Sequence, residues 1–110
     1  MLLNYLLLKL LKNIIKKKKI ALCTGSEHAM AEYLLKKFNL LQYFNVIVGA
    51  DDIIRHKPYP DTFLRCAELL KVIPKKCIVF EDADFGIMAA QSAGMSFVDV
   101  RYITYKNFYL

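Results

Sequence analysis

Apolar residues in this chain gather in four short runs, and between the runs their spacing changes to that of helices. Lys19–Cys23, Val46–Ala50, Cys77–Phe80 and Met95–Val100 read as strands. Leu2–Lys16 reads as an amphipathic helix, with Lys9, Lys12, Asn13 and Lys16 on the face opposite the leucines. Thr24 and Gly25 turn the chain, and Ser26 caps a helix running to Phe38. Pro60, a residue favoured at the first helical position, opens a helix to Lys71. A last helix covers Asp84–Ala93, and Gly94 ends it. Strands that are apolar on both faces and alternate with helices predict an α/β fold. The expectation is one parallel sheet with helices on both sides, in a single domain without repeat or linker.

Composition narrows the setting. A chain of 110 residues suits one domain, and 56% apolar content supplies a core. Cys23, Cys66 and Cys77 are odd in number, lack C-x-x-C spacing and sit in apolar runs. They read as buried reduced thiols in a reducing, cytoplasmic compartment and not as a metal cluster. The net charge of +6 is local. Six lysines and no acid lie in the first 26 residues, and the ten basic and ten acidic residues that follow cancel. A solvated helix end explains this run. No nucleic-acid partner is expected, because no binding motif or aromatic-basic interleaving accompanies the charge. The N-terminal charges follow the apolar stretch instead of preceding it, and Asn4 and Lys9 interrupt that stretch. It therefore reads neither as a signal peptide nor as a membrane span. A helix packed on protein is the reading, and a membrane-surface helix is the alternative.

Polar residues collect where the strands end, which is where open parallel sheets bind ligands. Thr24, Gly25 and Ser26 follow the first strand, Asp51 and Asp52 the second, and Glu81 and Asp82 the third. A helix N-terminus suits an anion, so the Thr24 hydroxyl and the Gly25 and Ser26 amides are candidate phosphate ligands. A plain turn and cap is the alternative. Lys57, held extended by Pro58, would serve as a point charge for phosphate, or it is a surface lysine in a proline turn. His56 reads as a loop residue. Acids at the end of an apolar strand are costly unless a cation meets them. Glu81 and Asp82 suit Mg²⁺, which takes a few carboxylates and keeps waters, and Asp84 would cap the following helix. Together these residues read as a magnesium-dependent phosphate site.

Three stretches carry a family resemblance: "GSEHAMAEYLLKKFNLLQYFNVIVGADDI", "HKPYPDTFLRCAELL" and "CIVFEDADFGIMAAQSAGM". They resemble the haloacid dehalogenase superfamily in its sugar-phosphate phosphatase and β-phosphoglucomutase branch, and within it the fructose-1-phosphatase type. The resemblance covers Ile20–Arg101. It implies a partial Rossmann-like parallel sheet with flanking helices. It also implies two catalytic residues, Thr24 holding the phosphoryl group and Lys57 neutralising charge around it. Asp82, with Glu81, is implied on Mg²⁺, and a small phosphorylated sugar is the implied substrate. Family members begin with a strand ending in D-x-D-G-T, whose first aspartate attacks phosphorus and whose second is acid and base. Here no Asp precedes Asp51, so neither role is carried over. The helical cap domain is also missing, and Leu2–Lys16 would match the helix returning from it. In the family the nucleophile strand lies between the strands matching Lys19–Cys23 and Cys77–Phe80. The expectation is a C-terminal half of a phosphatase, inactive alone, which a separately encoded N-terminal half would complete. The alternatives are a degenerate remnant that still binds phosphate or Mg²⁺, and an interaction module using the lysine-rich helix on an anionic partner.

Overall fold

All four apolar runs form strands, but the strands pair in twos. The computed structural model describes Lys9 and residues 12–102. In it β1 (Ala21–Cys23) pairs in parallel with β2 (Val46–Val48), Leu22 opposite Ile47. β3 (Ile78–Glu81) pairs in parallel with β4 (Ser96–Asp99), Val79 opposite Phe97. Among the described residues no ladder joins the pairs: the parallel α/β architecture is the expected one, interrupted between β1 and β3, where the resemblance places the nucleophile strand. The physical reason is local. A sheet continues only where a neighbour lies about 4.8 Å away, and no described strand pairs with the outer edge of β1 or of β3.

One helix holds the two sheets together. Helices α1 (His28–Lys37), α2 (Asp61–Leu70) and α3 (Asp84–Ser92) follow β1, β2 and β3. α2 buries one face, Thr62, Phe63, Cys66 and Ala67, and packs on β1, β2 and α3. Phe63 and Ala67 share a core with Val79, Ala89, Ala90, Ala93 and Met95, and Cys23 and Cys77 pack against it. The alanines let α2 and α3 approach closely. α2 stops at Lys71, which adopts a left-handed φ of 59°. There Lys19 Nζ donates to the Leu70 carbonyl at 2.8 Å, a cation on the negative helix end.

Several expected details change. Ser26 does not cap α1; the N-cap is Glu27, without a side-chain bond. The His28 amide donates instead to Asp51 Oδ1 at 2.8 Å, because a full negative charge from the β2 loop suits the positive helix end better than a hydroxyl. Pro60 is the N-cap of α2 and not its first residue. Asp84 is the first residue of α3, after an Ala83 N-cap, and it does not cap. Gly94 follows the helix with φ +74°, as expected of a terminator. Cys23 and Cys66, read as reduced thiols, are joined as a disulfide where β1 faces α2. Cys77 is a free thiol, its pKa pushed up by burial. Of the helix expected over Leu2–Lys16, Lys9 and residues 12–15 are helical and the remainder lies largely outside the described residues. No helix among the described residues is long and apolar enough to cross a membrane.

Candidate active site

The ends of β1 and β2 and the loop carrying Lys57 border one cleft, whose lining does not include Ser26, Glu81 or Asp82. Thr24 and Gly25, just past β1, line a cleft of about 330 Å³ with Lys57, His56, Ala50, Ile53 and Thr62. Lys57 is half-buried on the loop between β2 and α2, its ammonium 5.1 Å from the Phe63 ring centroid. The same ammonium donates to Glu81 Oε2 at 2.8 Å. Glu81 is only 8% exposed, so this is the cation that makes its burial tolerable.

That pairing changes what Glu81 offers. Its other oxygen, Oε1, accepts from the Asp82 amide at 3.1 Å. Both oxygens are thus engaged inside the protein, where the sequence placed a metal ligand. Gly86 makes room for it. A Cβ at Gly86 would overlap the Glu81 carboxyl, so the first turn of α3 passes directly over the buried acid. Asp82 differs. It is exposed, and its carboxylate accepts no hydrogen bond among the described residues. Among the described residues no three His, Cys, Asp or Glu side chains converge on a metal position. One free carboxylate at a strand end fits a Mg²⁺ that keeps most of its waters and takes further oxygens from phosphate; it does not make a closed cage.

The part of the cleft where the sequence places phosphate ligands is better formed. The Ser26 amide donates to Thr24 Oγ1 at 3.1 Å, which leaves the hydroxyl proton of Thr24 available to an anion. The Gly25 amide has no partner among the described residues. A Cβ at Gly25 would meet nothing within 4 Å, and no positive φ demands glycine there. Nothing in the chain itself requires a glycine at this cleft mouth, whereas close approach of a ligand would.

Two features escaped sequence reasoning. The loop after β1 is fastened to the loop after β2: His28 Nδ1 meets Asp52 Oδ2 at 2.6 Å, and the Ala50 amide donates to the Ser26 carbonyl at 2.8 Å. Asp52 also accepts from the Gly49 amide at 2.8 Å. The hydrogen bond that His28 donates to Asp52, with the carboxylate's charge, raises the His28 pKa. The Gly49 amide, then His28, lowers that of Asp52. The signal available was a histidine and two aspartates at successive strand ends. The second feature is Arg101, which clamps Asp99 through Nε and Nη2 and reaches Asp84 at 2.8 Å. It fixes the start of α3 beside Asp82 and holds the Asp99 carboxyl below its usual pKa.

Residues 6–100 match the family described as haloacid dehalogenase-like hydrolase. The chain belongs to that family. Among these hydrolases it is 56% identical over 84 residues to the fructose-1-phosphate phosphatase YqaB of Escherichia coli, covering 76% of this chain and 45% of that one. The β-phosphoglucomutase of Clostridium difficile superposes with a TM-score of 0.74 at 34% identity, over 96% of this chain and 44% of that chain. A haloacid dehalogenase hydrolase of Ehrlichia chaffeensis shares the fold at 24% identity with a TM-score of 0.83, over 93% of this chain and 52% of that one. The chain thus spans about half the length of the curated relatives it matches.

Proposed function

We propose that this chain carries the phosphate-binding and magnesium-binding side of a phosphatase acting on small phosphorylated sugars. The observation that bears most weight is the cleft where Thr24, Gly25 and Lys57 meet at the ends of β1 and β2, with Glu81 behind Lys57. Thr24 donates its hydroxyl to a phosphoryl oxygen and the Gly25 amide approaches another. Lys57 places its charge beside them, held in position by Glu81. Asp82 would hold Mg²⁺, which when bound offsets phosphate charge. The sugar-phosphate substrate class is carried over from the activities of the relatives, a fructose-1-phosphate phosphatase among them. No Asp precedes Asp51 in this chain, so the attacking carboxylate of the resemblance has no counterpart here and turnover needs a group from elsewhere.

Two measurements test this. Inorganic phosphate titrated into the labelled chain should shift the Gly25 amide resonance, and Gly25→Ala should weaken that binding about tenfold without loss of fold. Hydrolysis of fructose 1-phosphate by the chain alone should stay at background. Silence at Gly25 in a folded sample removes the phosphate site, and magnesium-dependent turnover abolished by Asp82→Ala overturns the claim that the chain alone is inactive.

A further inference from the structure

The loop that carries Gly25 is gripped on both sides of that glycine by the loop after β2. Before it, the Thr24 amide donates to the Val48 carbonyl at 3.0 Å; after it, the Ala50 amide donates to the Ser26 carbonyl at 2.8 Å. The pairing of β1 with β2 thus continues past both strand ends. Two residues on, His28 adds two more bonds: its amide donates to Asp51 Oδ1 and its Nδ1 to Asp52 Oδ2. Asp52 is itself fixed, because the same oxygen accepts from the Gly49 amide and the Asp52 amide donates back to the Gly49 carbonyl at 3.1 Å. The approach is tight enough to require glycine. Gly49 has an ordinary φ of −94°, but a Cβ there would overlap the His28 backbone. Among the described residues the Gly25 amide is left without a partner in the middle of this staple.

We infer that His28, as a cation paired with Asp52, is a positioning residue for the anion loop Thr24–Ser26, and that losing its proton weakens anion binding at a distance. This rests on the phosphate site proposed above and adds a control to it. The neutral imidazole can still donate from Nδ1, but the ion pair is gone, and so is a positive charge at the start of α1, where charge of that sign favours an anion in the adjoining loop. The groups facing His28 are Asp51 and Asp52 from the loop after β2 and Glu32 from its own helix, all acids that favour the charged ring. Arg65 on α2 acts on Asp52 and helps to keep it ionised. The pairing is complete below about 6.5, the ordinary value of histidine, and is lost as pH rises through the higher folded value. Anion affinity should fall over the same interval.

Phosphate changes its own charge near neutral pH, so the probe is sulfate, a dianion throughout. Sulfate is titrated into the full chain at pH 5.5 and pH 8.5 at constant ionic strength. Binding is read at the Gly25 amide nitrogen by carbon-detected NMR, which exchange with water does not erase. Affinity should be about threefold higher at pH 5.5, the scale of one exposed ion pair. His28→Asn, which can donate near the Nδ1 position but carries no charge, should bind at both pH values as the native chain does at pH 8.5. Asp52→Asn should flatten the profile in the same way, so that one variant decides if the other fails to fold. A native profile flat in pH, or a slope that survives in a folded His28→Asn or Asp52→Asn chain, overturns the assignment and leaves the phosphate site standing. His56 also lines the cleft, and a slope that vanishes in His56→Gln but persists in His28→Asn overturns it in favour of that residue. No shift at Gly25 at either pH overturns the phosphate site and this inference with it.

Discussion

Glu81 depends on the absence of a side chain at Gly86. An alanine there would ordinarily stabilise a helix by roughly 0.5–1 kcal/mol. Here its Cβ would displace the buried carboxylate from Lys57, and an orphaned buried acceptor costs about 1–3 kcal/mol. Gly86→Ala should therefore be net destabilising, read as a lower urea midpoint, and should weaken phosphate binding through a misplaced Lys57. Lys71 is the opposite case. Its left-handed φ of 59° costs about 1–2 kcal/mol for a side-chain-bearing residue. Lys71→Gly should raise the thermal midpoint, by less than that full amount because glycine also gains entropy in the unfolded chain. At this scale the sequence placed the acids at the strand end correctly. Their different partners were not legible, because the Lys57–Glu81 contact spans 24 positions and depends on how a proline-rich loop folds back.

The staple between the loops after β1 and β2 makes those elements titrate together. The raised His28 pKa means that its contribution is fully present below about 6.5, its ordinary value, and is lost as pH rises through the higher folded value. The lowered Asp52 pKa means that its contribution is present above about 3.8 and is lost as pH falls through the lower folded value. The staple is thus strongest between those two values. Asp51 and Glu32 also face His28 and act in the same direction. The pair is about a third exposed, so the effect should stay near the ~0.2–1 kcal/mol of exposed ion pairs. Urea unfolding at pH 5 and pH 8 should show a difference that His28→Ala reduces. The strands were legible at this scale because each is an uninterrupted apolar run between turn residues. Which neighbour each strand bonds is not written in its own pattern; the interruption between β1 and β3 followed only from the resemblance. The cap of α1 was misread for a similar reason: Ser26 is adjacent in sequence, but Asp51 arrives from another element.

For the molecule as a whole, apolar exposure and charge act against each other. Ile78 and Phe80 stand open on β3, and Met30 and Tyr33 on α1 and Phe38 just after it are more than half exposed. Such surface favours contact between copies. The opposing influence is the lysine-rich segment that leads into β1, where Lys16, Lys17, Lys18 and Lys19 are all exposed. It accounts for much of the net charge of +6, and like charge keeps molecules dispersed. The range of that repulsion shrinks from about 8 Å at 0.15 M salt to about 3 Å at 1 M. Colloidal stability of the chain alone should therefore fall as sodium chloride rises, seen as growing light scattering at constant pH. Replacing Lys16–Lys19 with glutamine should bring that turbidity to low salt, so the lysine run would act as a solubility tag for a surface that otherwise self-associates.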